Sequence, residues 1–173
     1  MTRSLNAANL LTLLRLVLVP FVILAILDGR HTLALALFAV AAFTDVLDGA
    51  VARRFHLATP LGARLDPVAD KCLLSGVFLA LAGVGAVPWW LVGIVFGRDL
   101  YLLAGAATVM LLTPVREFPP SIWGKASTLV QIVTVVASMA GHSSAMLWPC
   151  AAFTIWSGIH YTWRAFRVWR HPR

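Results

Sequence analysis

Residues 33–86 read LALALFAVAAFTDVLDGAVARRFHLATPLGARLDPVADKCLLSGVFLALAGVGA, an apolar run, a short acidic and basic stretch, and a second apolar run. Each run has about the length an α-helix needs to cross a bilayer, roughly 20 residues. Neither alternates apolar and polar residues as barrel strands do. Backbone groups in lipid must be satisfied within the segment, which a helix achieves. The stretch therefore predicts two antiparallel membrane helices joined by a turn.

The same pattern extends outward, with apolar stretches at about 10–27, 33–52, 67–86, 89–112, 122–141 and 145–163, separated by Gly, Pro, His and charged residues. The predicted fold is an all-α integral membrane protein, a six-transmembrane-helix bundle in which residues 1–173 form one membrane domain. Composition agrees: 60% of the 173 residues are hydrophobic and 12% charged, with a mean hydropathy of +0.85. A soluble domain would be about 45–50% apolar and about 25% charged. An ordinary cytosolic fold is excluded, and no length remains for a separate soluble domain.

The net charge of +7 arises from 14 Lys and Arg against 7 Asp and Glu. Placement matters more than the sum. With the N-terminus inside, Arg3, Arg15, Arg53, Arg54, Arg64, Lys71, Arg116, Lys125, Arg164, Arg167, Arg170 and Arg173 fall at one surface and Arg30 at the other. This bias puts both termini in the cytoplasm. The expected location is a bacterial inner membrane, and no nucleic-acid partner is expected. The terminal RAFRVWRHPR (164–173) directly follows a span and reads as an anchor to anionic lipid. The first eight residues are a candidate interfacial helix, and the first apolar run reads as a retained span. Trp89, Trp90, Trp123, Trp148, Trp163 and Trp169 read as interfacial anchors. Cys72 and Cys150 form neither a disulfide framework nor a CxxC site and are expected to be small core residues.

Four of the seven acidic residues are Asp45, Asp48, Asp66 and Asp70. An Asp at a helix centre in the bilayer costs about 2.5–3.5 kcal/mol on insertion scales, so the four need a shared reason. Asp45 and Asp48 are spaced i,i+3, and Asp66 and Asp70 i,i+4, so each pair lies on one helical face. Two antiparallel helices would bring both pairs to one depth. Clustered carboxylates repel unless protonated or neutralised by cations, and oxygen donors without a His or Cys cluster point to Mg²⁺ or Mn²⁺. Gly49 and Gly62 permit close approach of a phosphate, and Arg53 can bind its oxygens bidentately. Salt bridges to Arg53, Arg54, Arg64 and Lys71 would account for one or two of the acids, but not for two same-face pairs with their glycines. An ion or proton transporter, with the acids as a relay, is the reading from a different class. Such a path needs acids but no phosphate-binding arginine.

Asp45, Asp48, Gly49, Ala52, Arg53, Gly62, Asp66 and Asp70 together resemble, at every fixed position, the signature of the CDP-alcohol phosphatidyltransferases. Asn9, Thr12 and Arg15 are similar to the family's opening of the first span. Gly124, Lys125, Thr128 and Gln131 are similar to its fifth-span segment. The resemblance implies a homodimer of six-span chains with two divalent cations, Mg²⁺ or Mn²⁺, near the cytoplasmic surface. It assigns Asp45, Asp48, Asp66 and Asp70 as metal ligands, with Asp70 also the general base. It implies CDP-diacylglycerol as donor and CMP as leaving group. The donor-binding residues are then Gly49, Ala52, Arg53, Gly62, Thr59 and Thr12. Loop capping accounts equally well for Thr59.

Arg98 and Asp99 lie inside the fourth apolar stretch, where an ionisable pair is functional by default, although a structural salt bridge is the simpler alternative. Arg98, with Lys125 beside it, is expected to bind the acceptor. Phosphatidylglycerophosphate synthases of this family tend to carry Arg-Glu here and a second Arg one or two turns later. This chain has Arg-Asp followed by Leu100 to Val109 without a base. It is more similar to the single-site cardiolipin synthases, which implies phosphatidylglycerol as acceptor, with glycerol 3-phosphate as the alternative. His31 and His142 read as solvated loop residues, His56 lies in the motif turn, and His160 reads as a capped or interfacial residue.

Overall fold

The computed structural model contains six helices: α1 (Ala7–Leu27), α2 (His31–Phe55), α3 (Gly62–Gly83), α4 (Trp89–Leu112), α5 (Ile122–Met139) and α6 (Ser143–Arg170). The structure describes the backbone of residues 7–55, 62–112 and 122–170, and the side chains of 13–44, 69–105, 108, 122–142 and 144–163. Among the described residues there is no strand. All six expected helices occur. α2 runs on to Phe55 and α3 starts at Gly62, so both carboxylate pairs fall within helices. α6 continues to Arg170, so most of the basic C-terminal segment prolongs the last helix.

Three of the connections share one turn chemistry. Gly29, Gly85 and Gly141 have φ of 71°, 75° and 81°, the left-handed conformation that glycine adopts without a Cβ penalty. After α1, the Arg30 amide donates to the Ala25 carbonyl and the Gly29 amide to Ile26. After α3, the Ala86 amide donates to Leu81 and the Gly85 amide to Ala82, and after α5 the His142 amide donates to Ala137. These are Schellman closures that satisfy carbonyls left over at a helix end. Tight reversals of the chain follow.

The chain divides into two compact units, Met1–Ala86 with Met139–Gly141, and Val87–Ser138 with His142–Arg173. In the first, α1 packs against both α2 and α3. Its core contains Val22 and Ile26 of α1, Ala34, Phe38 and Ala41 of α2, and Ala69, Leu73, Val77 and Leu81 of α3. The α2 and α3 sets recur at helical spacing, so each helix commits one stripe to its neighbours. α3 passes close to α1 at Gly76, where a Cβ would stand 2.8 Å from Ile23 Cδ1 and would displace the end of that side chain. In the second unit α4 packs against α6. Leu91, Val92, Val95, Cys150 and Ala151 are buried there, together with a polar row on α5, Ser127, Gln131, Thr134 and Ser138.

Large apolar side chains also cover the outside: Ile122 is 82% exposed, Trp148 74% and Leu103 69%. Among the described residues one helix, Ile122–Met139, is long and apolar enough to cross a membrane, while Leu13–Leu27 and His31–Thr44 are shorter apolar stretches. One expectation needs correction: Cys72 is exposed and only Cys150 is buried, because a small residue one position after Lys71 carries no signal of which face of α3 turns inward. Arg15, counted among the bases of one membrane face, is fully enclosed by protein.

Candidate active site

The two carboxylate pairs sit where the chain enters and leaves one connection. Asp45 and Asp48 lie in the C-terminal half of α2, and Asp66 and Asp70 in the first turns of α3. The helix is continuous through each pair, so each spacing does place two positions on one face. Gly49, Ala52 and Arg53 follow along α2, Gly62 is the first residue of α3, and Thr12 lies in α1. The side chains of Thr12, Asp45, Asp48, Ala52, Arg53 and Asp66 lie outside the described residues, as does the whole of Thr59. Among the described residues no three His, Cys, Asp or Glu side chains cluster.

Asp70 is described, and its partner comes from another helix. Arg15 Nη1 donates to Asp70 Oδ1 at 2.7 Å. The Arg15 side chain has no exposed surface, whereas that of Asp70 is 45% exposed. A guanidinium taken fully out of water needs an anion beside it, and a charge-assisted bond of this length is among the stronger polar contacts. α1 therefore holds the carboxylate from behind while leaving part of it open. The sequence puts Arg15 among the bases of one membrane face and in the opening of the first span, without a partner for it. An arginine followed by the unbroken apolar run from Leu16 to Leu27 is the signal that it requires an anionic partner.

The second unit holds Arg98 and Lys125. Arg98 Nη1 donates to Asp99 Oδ1 at 2.8 Å, and Arg98 Nη2 donates to Ser157 Oγ of α6 at 2.7 Å. The Arg98 side chain is 9% exposed and that of Asp99 22%. Lys125 lies in the first turn of α5 and is exposed. One turn beyond Arg98, Tyr101 Oη and Thr162 Oγ1 are hydrogen-bonded at 2.9 Å on the exposed side of the same helix pair. Ser157 escaped the sequence reading, because a lone serine in the run TIWSGIHY carries no spacing signal.

Gln131 is buried, with Nε2 3.4 Å from Thr154 Oγ1 and 3.5 Å from Ser127 Oγ. It belongs to the polar row between α5 and α6. The ring of His160 lies 6.3 Å from that of Trp123 and 6.2 Å from that of Trp163. His142 is an exposed loop residue, as expected; His31, expected in a loop, is exposed but opens α2.

The chain matches the family model described as CDP-alcohol phosphatidyltransferase over residues 5–156. It is 38% identical over 180 aligned positions to a protein of Mycobacterium tuberculosis named "Probable phosphatidylglycerophosphate synthase", covering 95% of this chain and 84% of that one. To the "Cardiolipin synthase (CMP-forming)" of Rattus norvegicus it is 32% identical over 188 positions, covering 92% of this chain and 62% of the relative. To the human protein of the same name it is 32% identical over 148 positions, covering 76% of this chain and 49% of the relative.

Proposed function

The chain belongs to the CDP-alcohol phosphatidyltransferase family, and from that premise we propose that it transfers a phosphatidyl group from CDP-diacylglycerol to phosphatidylglycerol, releasing CMP and forming cardiolipin. Membership in an enzyme family displaces the reading of the acids as an ion path. The observation that carries the acceptor assignment is the Arg98–Asp99 pair on α4. The charge of Arg98 is matched by its neighbouring carboxylate, and Leu100 to Leu112 supply no second base. A phosphate monoester brings up to two negative charges to such a site, a phosphodiester one. One compensated arginine suits the diester.

The family is divalent-metal dependent in general, and the donor set here fits a hard cation. It offers four carboxylates on two helices, and the one described carboxylate, Asp70, keeps 45% of its side chain exposed beyond its bond to Arg15. Asp45, Asp48, Asp66 and Asp70 would hold two cations, Mg²⁺ or Mn²⁺. Such cations neutralise the pyrophosphate and the charge that grows on the leaving CMP. Arg53 would hold phosphate oxygens of the donor in its planar fork, with Gly49, Ala52 and Gly62 leaving room beside it, and Thr59 and Thr12 completing the nucleotide contacts. In the transfer itself, a hydroxyl oxygen of the acceptor bonds to the phosphorus that carries diacylglycerol. The bond from that phosphorus to the bridging oxygen breaks, and CMP departs with the electron pair. Asp70 takes the hydroxyl proton. Arg15 holds Asp70 in place for that task.

The exposed apolar side chains of α1, α2, α4, α5 and α6 and the tight glycine closures support six spans, and the gathering of basic residues at one face supports termini on the cytoplasmic side. In this reading the protein is a homodimer in a bacterial inner membrane. The second reading, with glycerol 3-phosphate as acceptor, is favoured by the name of the 38% identical mycobacterial relative. The two are separated by incubating purified protein with CDP-diacylglycerol and either acceptor, following CMP release and the lipid product. Cardiolipin formation supports the lead, and phosphatidylglycerophosphate without cardiolipin replaces it with the second.

A further inference from the structure

We propose that Ser157 of α6 is a positioning residue that aims the Arg98 guanidinium at the acceptor. The inference rests on the reading above that Arg98 binds the acceptor. The guanidinium is a rigid planar fork with five N–H donors, but it sits on a long flexible stem. It recognises a phosphate oxygen with a defined geometry only if something holds the fork. Asp99 holds one end, through Nη1 at 2.8 Å. Because Asp99 is the next residue on the same helix, that contact alone tethers the fork to α4. Ser157 holds the other end, through Nη2 at 2.7 Å, from a different helix.

Two further observations agree. Ser157 is 2% exposed, so its hydroxyl has no competing bulk water and keeps this bond. A Cβ on Gly158 would stand 3.7 Å from Arg98 Cγ, so α6 also runs along the arginine stem at van der Waals distance. The fork is fixed at both ends and its stem is flanked, yet it is not used up. Arg98 Nε is buried and has no acceptor among the described residues. Buried donors of that kind are uncommon and call for an explanation. A group that completes its hydrogen bonds when the acceptor's phosphate arrives provides one.

α4 and α6 share a second side-chain bond, between Tyr101 Oη and Thr162 Oγ1 at 2.9 Å. It joins the same two helices through a hydrogen bond in which Arg98 takes no part, which makes Tyr101→Phe the control for a purely structural effect. The experiment measures apparent KM for phosphatidylglycerol and for CDP-diacylglycerol in detergent micelles for Ser157→Ala, Ser157→Thr, Ser157→Val, Tyr101→Phe and Arg98→Ala. Thr and Val have nearly the same shape and differ in the hydroxyl, so any packing cost of the added methyl groups is common to both. A lost hydrogen bond to a charged group is expected to raise the acceptor KM about tenfold in Ser157→Ala and Ser157→Val. Ser157→Thr and Tyr101→Phe should stay within about twofold of the parent, and the donor KM should be unmoved throughout. Equal acceptor KM values for the Thr and Val variants overturn the proposal. So does an equal rise in Tyr101→Phe, or a rise in donor KM that matches the acceptor's. If Arg98→Ala leaves the acceptor KM unchanged, the underlying assignment of Arg98 fails. A rise in Arg98→Ala with none in Ser157→Ala removes Ser157 alone.

Discussion

Arg15 Nη1 donates to Asp70 Oδ1 across 2.7 Å, from a wholly buried guanidinium to a carboxylate that is 45% exposed. The two residues are 55 positions apart, and their bond ties α1 to the acidic start of α3. Breaking a fully enclosed ion pair from one side costs on the order of 3–5 kcal/mol, and the exposure of Asp70 reduces that figure here. Asp70→Asn is therefore expected to lower thermal stability as well as to abolish transfer. Arg15→Lys, which keeps the charge and loses the fork, should lose less of both. Thermal unfolding in detergent alongside CMP release reads the two effects. An unshifted unfolding temperature in Asp70→Asn would show that the pair contributes nothing to the fold.

The other motif carboxylates make a contrasting prediction. Asp45→Asn and Asp66→Asn each remove one charge from an all-oxygen donor set, so transfer should fall to background while the helix content seen by circular dichroism is retained. EDTA should abolish the activity of the parent, and Mg²⁺ or Mn²⁺ should restore it. Parent-like turnover in either variant, or full resistance to EDTA, would remove the two-cation assignment.

Arg53 should report on the donor. Losing a charged hydrogen-bond donor costs about 1.5–3 kcal/mol, a factor of roughly 10 to 100. Arg53→Ala is expected to raise the KM for CDP-diacylglycerol by that factor and leave the acceptor KM nearly unchanged. The reverse pattern would assign Arg53 to the acceptor pocket.

Gly85 tests the turn chemistry apart from the site. Its φ is 75° and a Cβ there would meet nothing within 4 Å, so a substitution is strained by the backbone alone. A left-handed non-glycine residue costs roughly 1–2 kcal/mol. Gly85→Ala should lower the unfolding temperature by a few degrees with transfer retained. An unchanged unfolding temperature would mean the closure after α3 is not held in this conformation.

The sequence was most legible where it carried spacing. Apolar run length located six helices, the i,i+3 and i,i+4 aspartates marked two same-face carboxylate pairs, and the resemblance at Asp45, Asp48, Gly49, Ala52, Arg53, Gly62, Asp66 and Asp70 pointed to the family. It was least legible where a helix is apolar on every face. In α1 the polar face that marks outside from inside in a soluble helix is missing, so nothing in the sequence shows that Arg15 is wholly enclosed; Cys72, beside Lys71 in α3, read as core although it is exposed. Ser157 was hidden for a related reason. A single hydroxyl gains meaning only from the side chain opposite it, and Arg98 lies 59 positions away.

The acceptor prediction turns on Arg98. Its side chain is 9% exposed, and Asp99 offsets its charge at 2.8 Å. Phosphatidylglycerol presents one phosphodiester charge and two free hydroxyls, so it needs one oriented donor more than it needs surplus positive charge. Glycerol 3-phosphate carries a monoester that is largely doubly ionised at neutral pH, and it would call for a second base that α4 does not supply between Leu100 and Leu112. Purified protein should therefore convert phosphatidylglycerol to cardiolipin and use glycerol 3-phosphate poorly. Arg98→Ala should raise the acceptor KM about 10- to 100-fold with the donor KM little changed. Asp99→Asn, which unmasks the charge of Arg98, should shift preference toward glycerol 3-phosphate. Competition between the two acceptors, read by thin-layer separation of radiolabelled lipid products, decides the matter. Efficient phosphatidylglycerophosphate formation without cardiolipin would overturn the acceptor and leave the chemistry of the aspartate motif standing.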